Sequence, residues 1–224
     1  MYQKDFVASN DGNISCKVSP KTLWATPAGV SKGFMERRQL VKITLDGTVL
    51  KSGSLKVSSE IKMHLRVYNE NPAVNGVTHA HPLACTAFAC AGLPLDTAIH
   101  PGPIITVGIV PCVHYETPGA QGVSDAVAPY CKGYNALLLA NHGALSWGTT
   151  LTEAFYRMET MEHLAMLLIY TGGVTLKPKL LCESQVKEVI KIREKQGVFS
   201  GGGLPSLCAG QAENTKDIIL YRGE

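Results

Sequence analysis

The segment "GVTHAHPLACTAFACAG", residues 76–92, places two histidines in an otherwise apolar stretch. Its first half is typical of a strand, and "PLACTAFACAG" of a helix that begins at Pro82 and ends at Gly92. Residues i and i+2 of a strand point to the same face, so His79 and His81 project side by side. Burying two imidazoles is costly without partners. The pair is therefore either two hydrogen-bonded core histidines or half of a metal site.

His142 is the best candidate for a third ligand. It lies between Asn141 and Gly143, where the strand-like stretch "ALLLANHGALSW" is interrupted. Gly143 permits a sharp backbone turn that aims the imidazole inward. Three neutral histidines form a ligand set typical of catalytic zinc, with one position left for water or substrate. The histidines at 64, 114 and 163 carry no partner signal, and we expect them to be structural or exposed.

The composition disfavours several classes of protein. The net charge is only +3, and the basic residues are scattered, which disfavours a nucleic-acid or membrane surface as partner. Seven dispersed cysteines without CxxC spacing fit reduced thiols better than a disulfide framework. No apolar run approaches the roughly 18 residues of a membrane span, and the N-terminal segment lacks the apolar region of a signal peptide. We expect a cytoplasmic protein.

The remaining pattern predicts strands mixed with helices. "LVKITLDGTVL" is typical of a hairpin that turns at Asp46–Gly47. "IITVGIVPCVHY" is strand-like, and helices are expected near residues 58–72, 152–170 and 184–196. This mixture indicates an α/β fold with a mixed sheet. Residues 1–200 are expected to form one domain, followed by a glycine-rich tail, 201–224, that is loosely packed or docks on a neighbouring subunit.

Glu60 opens the helix that precedes the strand of His79, directly after Ser58 and Ser59. The N-terminus of a helix favours negative charge through its free N–H groups and its dipole. Two interpretations remain open on these grounds. Glu60 is either a solvated carboxylate that complements the dipole or a functional group, and the same helix start can hold a phosphate.

Five short motifs resemble the class II aldolase/adducin family. "DGNIS", "TPAG", "SSE" before a helix, "THAHP" and "NHG" occur in that family's order, and the match spans roughly residues 6–197. The intervals from Glu60 to His79 and from His81 to His142 also look like the family's. The resemblance implies a three-layer α/β/α fold with a central mixed, largely antiparallel sheet. It also implies a C4 homotetramer with sites at subunit interfaces.

The resemblance further implies roles for individual residues. His79, His81 and His142 would bind Zn²⁺, and Glu60 would be the catalytic acid/base. The substrate phosphate would be held by Asn13, Gly29, Ser58 and Ser59. Backbone N–H groups of two glycine turns and a helix start can form such an anion nest without a lysine.

The implied reaction is a retro-aldol cleavage. A ketose 1-phosphate, such as L-fuculose 1-phosphate or a related sugar phosphate, is cleaved to dihydroxyacetone phosphate and an aldehyde. The cleavage leaves negative charge beside a carbonyl, which Zn²⁺ stabilises as a Lewis acid. Glu60 then returns a proton to the carbon, and we expect a dry cleft to raise its pKa for this task.

Three other functions occur among proteins with this pattern. A pentulose-phosphate 4-epimerase would carry Asp at position 60, so Glu60 disfavours it. A methylthioribulose-1-phosphate dehydratase shares the metal site and the glutamate but yields no dihydroxyacetone phosphate. An adducin-like interaction module without activity would have lost the metal ligands, which this chain retains.

The chain departs from the fuculose-phosphate enzymes of the family at three positions. Ala28 replaces a hydroxyl residue in the "TPxG" turn, where Ser31 offers a substitute. His100 occupies the place of a tyrosine that serves as the acid for the aldehyde fragment, and Gln196 that of a second tyrosine. His100 is either a proton carrier at neutral pH or a loop residue.

Overall fold

The computed structural model describes residues 1–175, 178–203 and 205, which contain one eight-stranded sheet flanked by helices. The strands are β1 (Asn13–Ser19), β2 (Thr22–Ala25), β3 (Val41–Thr44), β4 (Val49–Lys51), β5 (Gly76–Ala80), β6 (Cys112–Val113), β7 (Ala136–Leu139) and β8 (Gly143–Gly148). The α-helices are α1 (Ile61–Glu70), α2 (Leu83–Cys90), α3 (Pro101–Thr106), α4 (Gln121–Val127), α5 (Leu151–Thr175) and α6 (Glu183–Lys195).

The sheet has the strand order β4-β3-β2-β1-β5-β8-β7-β6. Every neighbouring pair is antiparallel except β6 and β7, which are parallel. Strand β5 therefore lies between β1 and β8, in the interior of the sheet. This arrangement confirms the mixed, largely antiparallel sheet that was expected from the family resemblance.

Side chains alternate between the two faces of the sheet and form two apolar cores. In β7, Leu137 and Leu139 pack with residues of α1 and α4, whereas Ala136 and Leu138 pack with residues of α2 and α5. This alternation is the period of two that strands impose. Both faces are thus covered by helices, and the fold has three layers.

The same alternation places the histidine strand. Val77 of β5 belongs to the core beneath α1, so His79, two residues later, points to that face. Ala80 belongs to the opposite core with α5. The start of α1 therefore lies over the end of β5 from which His79 and His81 project.

Several predicted elements are confirmed. The hairpin turns at Asp46–Gly47, where Gly47 has a φ of 91° and the Thr48 N–H donates to Asp46 Oδ1 at 2.9 Å. Helix α2 follows Pro82 and stops before Gly92. Helix α5 begins where expected but continues past Gly172–Gly173 to Thr175.

The strand predicted from "IITVGIVPCVHY" is wrong over its first half. Residues 101–106 form α3, because Pro101 suits the first helical turn and His100 Nδ1 accepts the Gly102 N–H at 3.1 Å. Only Cys112–Val113 pair as a strand. The proline at the helix start and the cap from His100 thus outweigh the strand preference of the β-branched residues.

The first residues of the predicted tail dock on their own chain. The Gly201 N–H donates to Gly133 O at 2.9 Å, and Gly201 O accepts the Ile109 N–H at 2.9 Å. Residue 204 and residues 206–224 lie outside the described residues, so most of the predicted tail does too. Within the described ranges, no helix has both the length and the apolar character needed to cross a bilayer.

Candidate metal centre and active site

Three histidines from separate parts of the chain converge at one end of the sheet. His79 lies in β5, His81 directly follows that strand, and His142 lies in the connection from β7 to β8. Pairing of Ala80 with Ala144 brings this connection beside the end of β5. One ring nitrogen from each histidine lies within 4.8 Å of the other two. The half-site and the distant third histidine of the sequence therefore form a single cluster.

Two glycines permit this approach. A Cβ on Gly143 would lie 2.5 Å from His81 Cδ2 and 2.6 Å from Ala80 O. A Cβ on Gly12, whose φ is 70°, would lie 2.7 Å from His79 O. All three distances are below those of ordinary contacts. Gly12 and Gly143 are thus required as glycines, because a side chain at either position would clash with the histidine strand or with His81.

Partners on the outer side orient two of the rings. His79 Nδ1 lies 2.9 Å from Ala144 O, and His81 Nδ1 lies 3.4 Å from Asp11 Oδ2. A proton on Nδ1 leaves Nε2 free as a ligand atom, and the two Nε2 atoms lie 3.2 Å apart. Burial lowers the pKa of His79 to about 3 and also lowers the pKa of His81. Both rings are therefore neutral at pH 7, the form that binds metals.

Glu60 lies directly against the cluster. Its Oε1 is 3.0 Å from His142 Nε2, and its Oε2 is 3.6 Å from His79 Nε2. Asn13 Nδ2 donates to Oε2 at 2.7 Å. Burial acts to raise the pKa of Glu60, but the histidines and Asn13 together outweigh it and lower that pKa to about 2. The expectation of a raised pKa is thus wrong, and Glu60 is an ionised base at neutral pH.

The donor set fits a divalent cation. Three imidazoles, at least two of them held neutral, direct nitrogens toward a common point beside a carboxylate. Without a shared cation, the two Nε2 lone pairs at 3.2 Å would face one another. Three protein ligands with an open position characterise catalytic zinc, and imidazole also suits other first-row metals. His79, His81 and His142 would hold the ion, with Glu60 beside it.

The residues expected to hold a phosphate surround the start of α1. The segment before Ser58 pairs with the "TPAG" turn, where the Ala28 N–H donates to Lys56 O at 2.9 Å. Asn13 Nδ2 also lies 3.4 Å from Ser58 Oγ. Gly29 has a φ of 73°, and a Cβ placed on it would meet no atom within 4 Å. Ser59 is exposed at the same helix start. The side-chain amide of Asn13 is directed to Glu60, a contact that the sequence did not predict.

Two charged residues near the cluster were missed by sequence reasoning. Asp11 contacts His81, and Lys32 donates from Nζ to Asn10 O at 2.6 Å and to Val30 O at 3.2 Å. Burial lowers the pKa of Lys32, while the negative charges of Asp11 and Glu60 act in the opposite direction. Asp11 begins the "DGNIS" motif and Lys32 lies three residues after the "TPAG" motif, but the sequence assigned a role to neither.

His100 lies at the start of α3, where it is exposed and its ring centroid is 6.1 Å from that of His163. Its side chain contacts Gly102 and His163 among the described residues, and not Glu60 or the metal-site histidines. Within one subunit, His100 is therefore not part of the cluster.

The fold and the histidine cluster together are those expected of a metal-dependent enzyme of the aldolase type. The profile of the family described as "Class II Aldolase and Adducin N-terminal domain" matches residues 1–169, and the chain belongs to this family. The sequence resemblance is thus confirmed.

Individual relatives differ in their reactions. The chain is 34% identical over 175 residues to a 3-oxo-tetronate 4-phosphate decarboxylase of Pectobacterium atrosepticum, covering 76% of this chain and 79% of that protein. It is 29% identical over 167 residues to an L-fuculose phosphate aldolase of Methanococcus maripaludis, covering 75% and 89%. A solved structure of an L-fuculose 1-phosphate aldolase superposes with a TM-score of 0.77 at 27% identity, covering 84% and 88%.

Proposed function

We propose that this chain is a zinc-dependent lyase that cleaves a ketose 1-phosphate, such as L-fuculose 1-phosphate, to dihydroxyacetone phosphate and an aldehyde. The observation that carries the proposal is the position of Glu60. Its two carboxylate oxygens lie 3.0 Å from His142 and 3.6 Å from His79, and Glu60 is the N-cap of α1, whose start we propose to hold the phosphate. A substrate held by its phosphate at this helix start has its ketone end beside both the carboxylate and the histidines.

The protein supplies binding and proton transfer. The turns at Asn13 and Gly29 and the start of α1 fix the phosphate, which orients the ketone. A metal held by the three histidines supplies Lewis-acid stabilisation of the negative charge that develops on oxygen. Asn13 fixes the carboxylate of Glu60 through the 2.7 Å hydrogen bond, so its oxygens are directed before substrate binds.

Glu60 can carry one proton through the whole cleavage. As an ionised base it removes the hydroxyl proton of the departing fragment while the carbon–carbon bond breaks, and the fragment leaves as an aldehyde. The bonding electrons stay on the carbon beside the ketone as an enediolate. Glu60 then returns the same proton to that carbon, which completes dihydroxyacetone phosphate and restores the carboxylate.

A second candidate is the decarboxylation of a 3-oxo acid phosphate. The decarboxylase relative named above is more similar to this chain than the aldolase is, at 34% against 29% identity. Loss of CO₂ leaves an enediolate of the same kind without removing a hydroxyl proton. It therefore needs no proton transfer at the aldehyde end, where this chain has His100 in place of a tyrosine.

The other functions have weaker support. Glu60 disfavours the 4-epimerase, and the intact histidine cluster disfavours an adducin-like module. A dehydratase acting on methylthioribulose 1-phosphate shares the site but would release water. We further propose a cytoplasmic homotetramer with sites at subunit interfaces. This assembly would give His100 access to the site of a neighbouring subunit, where it would hydrogen-bond to the oxygen of the aldehyde fragment while Glu60 takes the proton.

One assay separates these reactions. Zinc-loaded protein is supplied with a panel of ketose 1-phosphates, 3-oxo-tetronate 4-phosphate and methylthioribulose 1-phosphate, and dihydroxyacetone phosphate, aldehyde and CO₂ are measured. Dihydroxyacetone phosphate with aldehyde supports the aldolase, and dihydroxyacetone phosphate with CO₂ supports the decarboxylase. If no substrate of the panel releases dihydroxyacetone phosphate, both the aldolase and the decarboxylase proposals are contradicted.

Substitution of Glu60 tests the assigned proton carrier. Glu60→Gln keeps the size and one hydrogen-bonding oxygen but removes the base, so turnover is expected to fall by about 10²- to 10⁴-fold while zinc is retained. Metal content by atomic emission spectroscopy is the control. Full turnover by the zinc-bound variant would remove Glu60 from the mechanism.

A further inference from the structure

Lys32 lies where the two glycine turns of the anion pocket meet. Its Nζ donates to Asn10 O in the turn that precedes Asn13, and to Val30 O in the turn that contains Gly29. Both turns were assigned to the phosphate from their backbones alone. The lysine therefore binds both walls of the pocket through carbonyl oxygens, without using any of their N–H groups.

The ammonium group keeps a donor for a ligand. It has three N–H bonds, and two of them are directed to the carbonyls. Among the described residues, no carboxylate lies within ion-pairing distance of Nζ. Asp11 and Glu60 are near enough to act on Lys32 electrostatically but not to bind it. A partly buried cation thus has its charge unpaired beside a pocket suited to an anion.

Two features of the pocket make the positive charge of Lys32 favourable for binding an anion. A phosphate dianion at the start of α1 would lie near the carboxyl group of Glu60. Backbone N–H groups and a helix dipole offset such repulsion with partial charges only. Ala28 also removes the hydroxyl that the family carries in this turn, and Ser31 Oγ, which accepts the Gly33 N–H at 3.4 Å, keeps its O–H donor but adds no charge. A full positive charge three residues after Gly29 compensates for both.

We propose that Lys32 provides the positive charge of the phosphate pocket and determines the preference for phosphorylated over unphosphorylated substrates. This inference rests on the proposed function for the identity of the anion, a phosphate monoester. The Nζ–H that is not directed to Asn10 or Val30 binds a phosphate oxygen, and the two carbonyls keep the ammonium at the junction of the turns.

The proposal is tested first by phosphate binding without turnover. Inorganic phosphate is titrated calorimetrically into metal-free and zinc-loaded full-length protein, because phosphate coordinated to zinc would mask the pocket. Lys32→Gln is expected to weaken phosphate binding by at least about tenfold in the metal-free protein, as charge-assisted hydrogen bonds are the strong ones. Lys32→Arg is expected to stay within about threefold of the unaltered protein, because it preserves the charge.

Lys21→Gln is the matched control. Lys21 is exposed in the turn between β1 and β2, at the end of β1 opposite to Asn13. Its substitution changes the net charge equally but is expected to leave phosphate binding unchanged. Thermal unfolding verifies that each variant is folded. If Lys32→Gln is not folded, Lys32→Met, which keeps the aliphatic stem, is used in its place.

Steady-state kinetics then separate binding from chemistry. The KM of the neutral variant for a phosphorylated substrate is expected to rise at least about tenfold while kcat changes by less than about threefold. Phosphate binding by the neutral variants that equals that of the unaltered protein would overturn the proposal. So would an arginine variant that binds as weakly as the neutral ones, which would indicate a purely structural tie between turns. If phosphate binding depends on Lys32 but no substrate of the panel is cleaved, the proposed function fails and the role of Lys32 stands.

Discussion

Two fully buried histidines, His64 and His79, lie in neighbouring regions of the same face of the sheet. Burial lowers the pKa of each to about 3. His64, on α1, has Nδ1 2.8 Å from Ser15 Oγ, which lies 2.9 Å from Tyr68 Oη. His79, on β5, has Nδ1 2.9 Å from the carbonyl of Ala144. Up to this point, the two imidazoles have similar surroundings.

The second nitrogen of each ring makes the difference. His64 Nε2 is buried and has no hydrogen-bond partner among the described residues. His79 Nε2 instead faces His81 Nε2 at 3.2 Å and Glu60 Oε2 at 3.6 Å. Burial and a neutral ring are thus shared by a packing histidine and a candidate ligand. Convergence of several ligand atoms on one point distinguishes the candidate metal centre.

The largest effect is expected from removing one of the three histidines that converge on the candidate metal site. His142→Ala leaves two histidines, so the protein should no longer purify with or retain a stoichiometric divalent metal. Activity is expected to fall by more than the roughly 10- to 100-fold that loss of an outer partner of a ligand causes. Metal content and turnover of the variant are measured after dialysis against a chelator and readdition of zinc.

His64→Gln is the matched control for this comparison, because it removes an equally buried imidazole from the neighbouring region. It is expected to retain metal and most of the activity. Equal loss of metal from both variants would show that His64 also supports the centre, and would erase the distinction between the two regions.

An intermediate effect is expected from Gly143→Ala, which leaves every ligand in place. The new Cβ would lie 2.5 Å from His81 Cδ2, so the ring must rotate away from the common point. Zinc affinity is expected to fall by about 10- to 100-fold, comparable to the loss of a partner that orients a ligand. Competition with a fluorescent chelator measures the affinity. Gly133→Ala is the control, since a Cβ there meets no atom within 4 Å; a similar loss in both variants would contradict the steric cause.

The sequence predicted those parts of the site that are close in the chain or marked by a motif. The alternation of β5 predicted that His79 and His81 share a face, and the interruption at Asn141–Gly143 indicated the third histidine. The hairpin at Asp46–Gly47 followed from local turn chemistry. Such features depend on a few neighbouring residues, which local propensities determine.

Contacts that depend on tertiary packing could not be predicted. Lys32 reaches Asn10 and Asp11 reaches His81 only because two turns meet at the end of the sheet. The lowered pKa of Glu60 arises from His142 and Asn13, which are distant from it in sequence. Likewise, residues 104–106 were expected in a strand because the proline-started helix α3 could not be distinguished by β-branched composition alone.

The smallest of the expected effects, a partial loss of stability, is caused by acid. His64 titrates at about 3 in the folded protein and near 6.5 when unfolded, so the unfolded state binds more protons between these pH values. The stability that depends on neutral His64 is therefore fully present above about pH 6.5 and is lost progressively as the pH falls toward 3. At pH 5 the loss attributable to His64 is on the order of 2 kcal/mol.

His64→Gln removes this contribution. Urea unfolding of the metal-free protein at pH 7 and pH 5 measures it, and the metal-free state prevents release of zinc from contributing to the difference. The variant should lose less stability between the two pH values than the unaltered protein, by about 2 kcal/mol. Substitution of the exposed His163 by Gln is the control. An unchanged pH dependence in His64→Gln would mean that burial does not hold this imidazole neutral. His64 and His79 would then share only their burial, and not a lowered pKa.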